Sequence, residues 1–177
     1  MKYLIANAIL LFSIQANAQV NNQPSEFLVN PYLQIGKAPT QHSLQLLWHT
    51  AISNNVWLAE YLPTRQAGKN NADGWIKSEN QTTAKIAVAG NNPFTIYNAS
   101  FAALTPGTTF TYRVSKNGKV VFSSEAKAPK LPGQPYRFVI SGDMGAGTKQ
   151  SRQIAYDIYN SHPDVVAIAG DIVYSQG

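Results

Sequence analysis

The chain has 177 residues, contains no cysteine, and carries a formal net charge of +5 with only 13% charged residues. The lack of cysteine excludes disulfides, zinc–thiolate sites and thiol nucleophiles, so burial of apolar surface must supply the stability. The basic residues are scattered and form no run, which argues against a nucleic-acid-binding tail and against a patch that binds a membrane surface.

Residues 1–18 have the layout of a secretory signal peptide. A short apolar run follows the basic Lys2, and the small residues Ala16 and Ala18 supply an A-x-A cleavage site. The run is shorter than the about 20 apolar residues that a membrane-spanning helix needs. We therefore expect a secreted or periplasmic protein with no membrane span, in which residues 19–30 form a short N-terminal extension.

Residues 31–130 are predicted to form a β-sandwich of the fibronectin III type. Short runs rich in β-branched and aromatic residues alternate with turn-forming residues, and this spacing is typical of a sandwich of about seven strands. Asn117-Gly118 predicts a tight hairpin because a two-residue turn needs positive φ at both positions. The predicted strands include Ser43–Thr50, Val56–Tyr61, Thr82–Val88, Thr95–Phe101, Phe110–Val114 and Val120–Ser123.

The tryptophans and histidines of this region admit functional and structural interpretations. Trp48, Trp57 and Trp75 could form an aromatic ligand patch, but large aromatics in strands usually pack in the core, so we expect packing. His42 and His49 are predicted to face opposite sides of a regular strand. Two histidines so placed cannot share a metal.

The pattern changes after residues 131–136, which their prolines and glycine mark as a linker. Residues 137–177 are predicted to begin an α/β domain. Two short apolar strands flank a helix, which makes a βαβ unit whose strands are parallel and adjacent. These elements are predicted at Arg137–Ile140, Lys149–Tyr159 and Val165–Ala169.

Asp143 and Asp171 each follow one of these apolar strands, and each is preceded by a glycine. Because parallel strands end at the same edge of a sheet, both carboxylates are expected at the edge where α/β folds place their sites. Hard oxygen ligands on neighbouring strands suit a two-metal centre.

The loop that contains Asp143 also resembles a nucleotide-binding loop. Gly142 and Gly147 have the glycine spacing of a P-loop. A P-loop, however, has lysine directly after the second glycine and then Ser or Thr, whereas here Thr148 precedes Lys149. One helical step rotates a side chain by about 100°, which points the lysine away from a phosphate. The metal interpretation therefore explains more of the residues.

Gly142-Asp143-Met144-Gly145 and Gly170-Asp171-Ile172-Val173-Tyr174 resemble the first two of five metal-binding blocks in the purple acid phosphatases, which are calcineurin-like metallophosphoesterases. Larger members of that family carry a fibronectin-like sandwich ahead of the catalytic domain, and three segments here are similar to theirs: Asn30–Gln34, Leu44–Trp48 and Leu104–Tyr112. The resemblance implies a mainly β chain with an α/β tail: the sandwich, followed by the first βαβ unit of a metallophosphoesterase domain.

The resemblance also implies roles for three residues. Asp143 would bind a ferric ion, Asp171 would bridge it to a divalent iron, zinc or manganese ion, and Tyr174 would bind the ferric ion as a phenolate. The implied activity is hydrolysis of phosphate monoesters by a secreted acid phosphatase. The later blocks, with their asparagine and histidines, do not occur in the chain. We therefore expect it to be the leading part of a longer enzyme and inactive by itself.

Two alternatives remain at this point. The same scaffold could serve an exported phosphodiesterase or nucleotidase, since a fold and a metal centre do not fix the substrate. A non-enzymatic exported β-sandwich binding module is the alternative from a different class. The sequence leaves the oligomeric state open.

Overall fold

A computed structural model describes residues 25–63 and 74–170 of the chain. The predicted signal peptide lies outside the described residues, as do Asp171 and Tyr174. None of the helices in the described ranges has the length and apolar character that a membrane span requires.

Eight antiparallel strands in the described residues form two four-stranded sheets. The first sheet has the order β1-β2-β6-β5 and the second the order β4-β3-β7-β8. The strands are β1 (Val29–Gln34), β2 (Leu44–Ala51), β3 (Trp57–Pro63), β4 (Ile76–Lys77), β5 (Glu79–Ile86), β6 (Phe94–Phe101), β7 (Thr109–Lys116) and β8 (Lys119–Lys127).

Sequence alternation explains why the two sheets face each other. In β2, Leu44, Leu46 and Trp48 are buried, while the residues between them are only half-buried. Strand β6 shows the same period of two, ending at the fully buried Phe101. Because successive side chains of a strand point to opposite faces, each strand contributes one apolar face to a shared core.

Aromatic rings fill that core. Trp48 stacks on Tyr97 with ring centroids 5.0 Å apart, and Trp57 lies tilted against both rings. The expectation that these two tryptophans pack in the core is confirmed by their burial. Trp75 differs, because the Arg113 guanidinium lies 3.9 Å from its ring centroid, in a cation–π contact on the outside of the second sheet.

The predicted hairpin turn is present. Asn117 and Gly118 have φ values of 50° and 80°, the conformation that a two-residue turn between β7 and β8 requires. Asn117 also fastens this turn to the start of β3. Its backbone N–H donates to the Val56 carbonyl (2.8 Å), and its Oδ1 accepts from the Val56 N–H (2.9 Å).

Beyond the sandwich, two parallel strands pair with each other and are connected by a helix. They are β9 (Phe138–Ser141) and β10 (Val165–Ile168), and α1 (Lys149–Asn160) crosses between them. Thr148 caps the helix, since its Oγ1 accepts a hydrogen bond from the Ser151 N–H (3.1 Å). The predicted fold class, mainly β with an α/β tail, is confirmed.

Strand limits differ from the predictions where pairing overrides local composition. Strand β5 begins at Glu79 instead of Thr82, because it pairs with β6 across an irregularity that aligns Glu79 with Ser100. Strand β8 continues to Lys127 because β7 offers partners along its whole length. The two-residue β4 was not predicted, since a strand so short is defined by its partner β3 and carries no pattern of its own.

Candidate metal centre at the strand ends

The carboxyl-terminal ends of β9 and β10 lie side by side. Ser141 is in register with Ile168, and the Ala169 N–H donates to the Ser141 carbonyl (2.7 Å) one step beyond the paired strands. A Cβ built on Gly142 would lie 3.9 Å from the Gly170 carbonyl oxygen. The two glycines that precede the predicted acids are therefore neighbours at one edge of the sheet, as the parallel arrangement requires.

Asp143 begins the loop that leaves β9. It has left-handed backbone angles (φ 54°, ψ 34°), precedes a single 3₁₀ turn over Met144–Ala146, and has an exposed side chain. Aspartate tolerates this region better than most residues, but the conformation still has a cost. Four other non-glycine residues in the described ranges also have positive φ, so this conformation sets the course of the loop and does not by itself mark a site.

Gly170 closes the second strand end with φ at 126°, a conformation that L side chains rarely adopt. Gly142 has no such requirement, and its nearest neighbour leaves ordinary van der Waals space for a methyl group. Backbone conformation thus explains why residue 170 is a glycine, and it does not explain the glycine at residue 142.

Of the three predicted ligands, the structure describes only Asp143; Asp171 and Tyr174 lie outside the described residues. Within residues 25–63 and 74–170, no group of three or more His, Cys, Asp or Glu side chains could hold a metal ion. An exposed carboxylate offers the oxygen donor that a hard cation prefers, and it lies at the carboxyl-terminal edge of the sheet, where α/β folds place their sites. It supplies one donor and not a complete coordination shell.

The two histidines near β2 are engaged within the sandwich. His42 lies in the turn before the strand, where its Nδ1 is 3.1 Å from the Leu104 carbonyl oxygen. His49 lies on the outer face of β2, stacked on Phe94 and edge-on to Tyr32, and burial lowers the pKa of its imidazole. The prediction that the two histidines face opposite sides of one regular strand is wrong for His42, because β2 begins only at Leu44.

A cleft of about 1450 Å³ separates the sandwich from the α/β tail. Leu33 and Leu47 line it from the sandwich, and Tyr159 and Val166 line it from the tail. Neither Asp143 nor Gly170 is among its lining residues. The described part of the candidate metal centre therefore does not line the cleft, which reaches the amino-terminal part of β10.

Asp164 is a structurally important residue that the sequence analysis did not identify. It immediately precedes β10, its side chain is 9% exposed, and it accepts hydrogen bonds from the Arg137 backbone N–H and the Lys130 ammonium. The Arg137 N–H first, and then Lys130, hold the pKa of the Asp164 carboxyl below its ordinary value. Its position just before a parallel strand was the only signal available in the sequence.

Neither a protein-family model nor the sequence of a curated protein matches the chain. Among solved structures, the chain is similar to a purple acid phosphatase, PPD1, from seeds of yellow lupin (Lupinus luteus). The TM-score is 0.63 and the identity 22%, over 83% of this chain and 30% of the lupin chain. At this identity the likeness shows a shared fold, and the present chain spans less than a third of the lupin protein.

A second solved structure is the sensor domain of the anti-sigma factor RsgI4 in Pseudobacteroides cellulosolvens. It has a TM-score of 0.35 and 13% identity, over 58% of this chain and 96% of that domain. A TM-score this low supports no conclusion about fold or function.

Proposed function

We propose that the complete protein is an exported phosphatase that hydrolyses phosphate monoesters at a dinuclear metal centre, one iron(III) ion and one divalent iron, zinc or manganese ion. The observation that carries the proposal is the pair of adjacent strand ends, where Gly142 lies beside Gly170 and Asp143 follows Gly142 in a left-handed conformation. Asp171 follows Gly170 directly in the sequence. The fold shared with a purple acid phosphatase supports the same conclusion.

Burial in the tail supports the proposal that the described strands belong to a larger α/β domain. Phe138 and Ile140 of β9 are each 64% exposed, and no residue of α1 is buried. Parallel sheets are normally covered on both faces, because their crossover helices pack there. We therefore propose that further strands and helices of the same protein complete this sheet and carry the remaining metal ligands.

Asp143, Asp171 and Tyr174 are the proposed ligands within this chain. A dinuclear centre supplies Lewis acidity toward a phosphate oxygen and toward the attacking water. Asp143 would contribute an anionic oxygen donor from an exposed loop whose backbone is already set. The Tyr174 phenol ionises near pH 10 in water, so it can bind as a phenolate only where a strongly acidic metal ion lowers its pKa.

The complete coding region is the material for the test. Its product, loaded with iron and zinc, is expected to hydrolyse p-nitrophenyl phosphate, and Asp143→Asn should lower metal affinity by at least about ten- to a hundredfold, the range that even outer-shell partners show. Asp157→Asn is the matched control, because Asp157 lies exposed on α1 and its Oδ1 accepts from Gln153 (2.9 Å). Metal content and hydrolysis rate are measured together.

Three results would contradict the proposal. The first is full metal content and activity in Asp143→Asn, and the second is hydrolysis by the complete protein of only a diester such as bis-p-nitrophenyl phosphate. An open reading frame that ends at Gly177 would favour the binding module.

For Tyr174, loss of a visible charge-transfer band in Tyr174→Phe is expected, and an unchanged band would remove this residue from the ligand set. We also expect the 177-residue chain alone to show no phosphatase activity.

A further inference from the structure

Residues 128–137, which connect β8 to β9, are tied to the sandwich. The Ala128 N–H donates to the Thr108 carbonyl (2.8 Å), and the Gly107 N–H donates to the Pro129 carbonyl (2.9 Å). Both bonds extend the pairing of β7 and β8 beyond the last strand residue. The start of the connecting segment is therefore held by the rigid part of the molecule.

The same segment is closed by hydrogen bonds within itself. The Leu131 N–H donates to the Gln134 Oε1 (2.9 Å), and the Gln134 N–H donates to the Leu131 carbonyl (3.2 Å). The Tyr136 hydroxyl donates to the Lys130 carbonyl (2.8 Å). A flexible tether would expose such groups to water, whereas here they satisfy one another.

Lys130 and Asp164 connect this closed turn to the parallel strands. The Lys130 ammonium donates to the Asp164 Oδ2 (2.7 Å) and to the Pro135 carbonyl (2.9 Å). The same Oδ2 accepts from the Arg137 N–H (2.9 Å), and the Asp164 N–H donates to the Arg137 carbonyl (2.7 Å). One carboxylate oxygen thus joins both ends of the connecting segment to the start of β10, and the backbone bonds of Ala128 and Pro129 hold the same segment to the sandwich.

This ion pair differs from an ordinary surface pair. Exposed pairs contribute little because water screens them and the side chains lose freedom. The Asp164 side chain is 9% exposed and its Oδ2 accepts from both Lys130 and the Arg137 N–H, so removing the ammonium leaves a largely covered carboxylate with one donor fewer. The basic side chains Lys127, Arg137 and His162 line the same small pocket, and its lining residues include no acid besides Asp164.

We infer that Lys130 and Asp164 lock the sandwich to the parallel strands in one orientation, so that residues 128–137 act as a rigid joint and not as a flexible linker. The inference concerns the mechanics of the chain and does not depend on the proposed phosphatase activity. It implies that the strand ends carrying Asp143 are held at a fixed place relative to the sandwich.

Distances between two spin labels test the joint directly. The chain has no cysteine, so Lys119→Cys on the β7–β8 hairpin and Gln150→Cys on α1 place one label on each side, both at exposed positions. The full chain is expected to give one narrow distance distribution. Lys130→Met, which keeps the aliphatic stem and removes the ammonium, should broaden that distribution or add a second distance.

Two Asp164 variants separate the ion pair with Lys130 from the hydrogen bond that the Arg137 N–H donates. Asp164→Asn keeps an oxygen for the Arg137 N–H but loses the charge, so it should broaden the distance distribution as Lys130→Met does. Asp164→Ala should also speed hydrogen exchange of the Arg137 amide by about tenfold, since it removes a charge-assisted hydrogen bond. Asp164→Asn should leave that amide largely protected.

Lys116→Met is the matched control, because the Lys116 side chain is as exposed as that of Lys130, and its ion pair with the more exposed Glu26 (2.6 Å) does not touch the joint. It should leave the distance distribution unchanged. The inference is overturned if the parent chain already gives a broad distribution, or if Lys130→Met and Asp164→Asn both leave it as narrow as the control does. Tryptophan fluorescence confirms that each variant has kept the sandwich, because all three tryptophans lie there.

Discussion

The sandwich and the tail, residues 137–170, are built from similarly apolar strands but reach opposite degrees of burial. Phe101 in β6 is fully buried, whereas Phe138 in β9 is 64% exposed. The two antiparallel sheets cover each other, and each strand needs only one apolar face. The parallel strands of the tail are apolar on both faces, and the described residues fully bury neither face.

The difference shows which part of the molecule can stand alone. The sandwich has a continuous core in which aromatic rings contact one another across both sheets. The tail has pairing between two strands, a capped helix and the joint, but no core of its own. Its order must rest on backbone hydrogen bonds and on the Lys130–Asp164 lock, and these are the interactions that variants can probe.

The largest expected effect is a difference in the free energy of unfolding between two phenylalanine variants. Phe101→Ala should lower the free energy of unfolding by about 3–5 kcal/mol, because it removes a fully buried ring and leaves a cavity. Phe138→Ala should change it by less than about 1 kcal/mol, because most of that ring already contacts water in this chain. Urea unfolding followed by far-ultraviolet circular dichroism, which reports both the strands of the sandwich and helix α1 of the tail, measures both. Equal losses would show that the tail has a hidden core.

A smaller difference in stability is expected between two glycine variants. Gly118→Ala forces an L residue into a left-handed conformation at φ 80°, which should cost the sandwich about 1–2 kcal/mol. Gly142→Ala in the tail meets its nearest neighbour at 3.9 Å without positive φ, so we expect a change within about 0.5 kcal/mol. Unfolding midpoints give the comparison. A loss at Gly142 as large as at Gly118 would indicate strain at the strand end.

The smallest effect is a difference in acid sensitivity. Burial lowers the pKa of His49, so its contribution to stability is present above the ordinary histidine value, about 6.5, and is lost as the pH falls through it. The pKa of Asp164 is also lowered, so the contribution of the joint is lost only below about 3.9. The sandwich should therefore weaken in milder acid than the joint.

Fluorescence-detected unfolding at several pH values measures the sandwich, and the distances between labels on Lys119→Cys and Gln150→Cys measure the joint. His49→Leu should remove part of the loss in sandwich stability between neutral pH and pH 5. The expected order is reversed if the label distances broaden at a pH where the sandwich is still at full stability.

Alternation and turn chemistry allowed most of the sandwich to be predicted. The Leu44–Ala51 strand and the Asn117-Gly118 turn follow from residues next to one another, because their signals are local. The limits of β5 and the existence of β4 depend on partner strands, which no local pattern specifies. For the same reason Lys130 and Asp164, far apart in sequence, gave no sign that they pair.

The candidate site was predictable only as far as its geometry is local. A glycine and an aspartate after an apolar strand indicated Asp143, and the parallel pairing of β9 with β10 brings the two strand ends together as expected. The left-handed backbone of Asp143 could not be read from its neighbours, since it depends on the turn that follows. The roles of Asp171 and Tyr174 remain predictions.

The position of Lys130 at the end of the sandwich also bears on the order of assembly. Every strand of the sandwich precedes Lys130 in the chain, and Asp164 follows it. A polypeptide synthesised from its amino terminus can therefore fold the sandwich before residues 137–170 are available. Lys130 would then already be in place when Asp164 is synthesised. The folded sandwich would act as an intramolecular template for the pairing of β9 with β10.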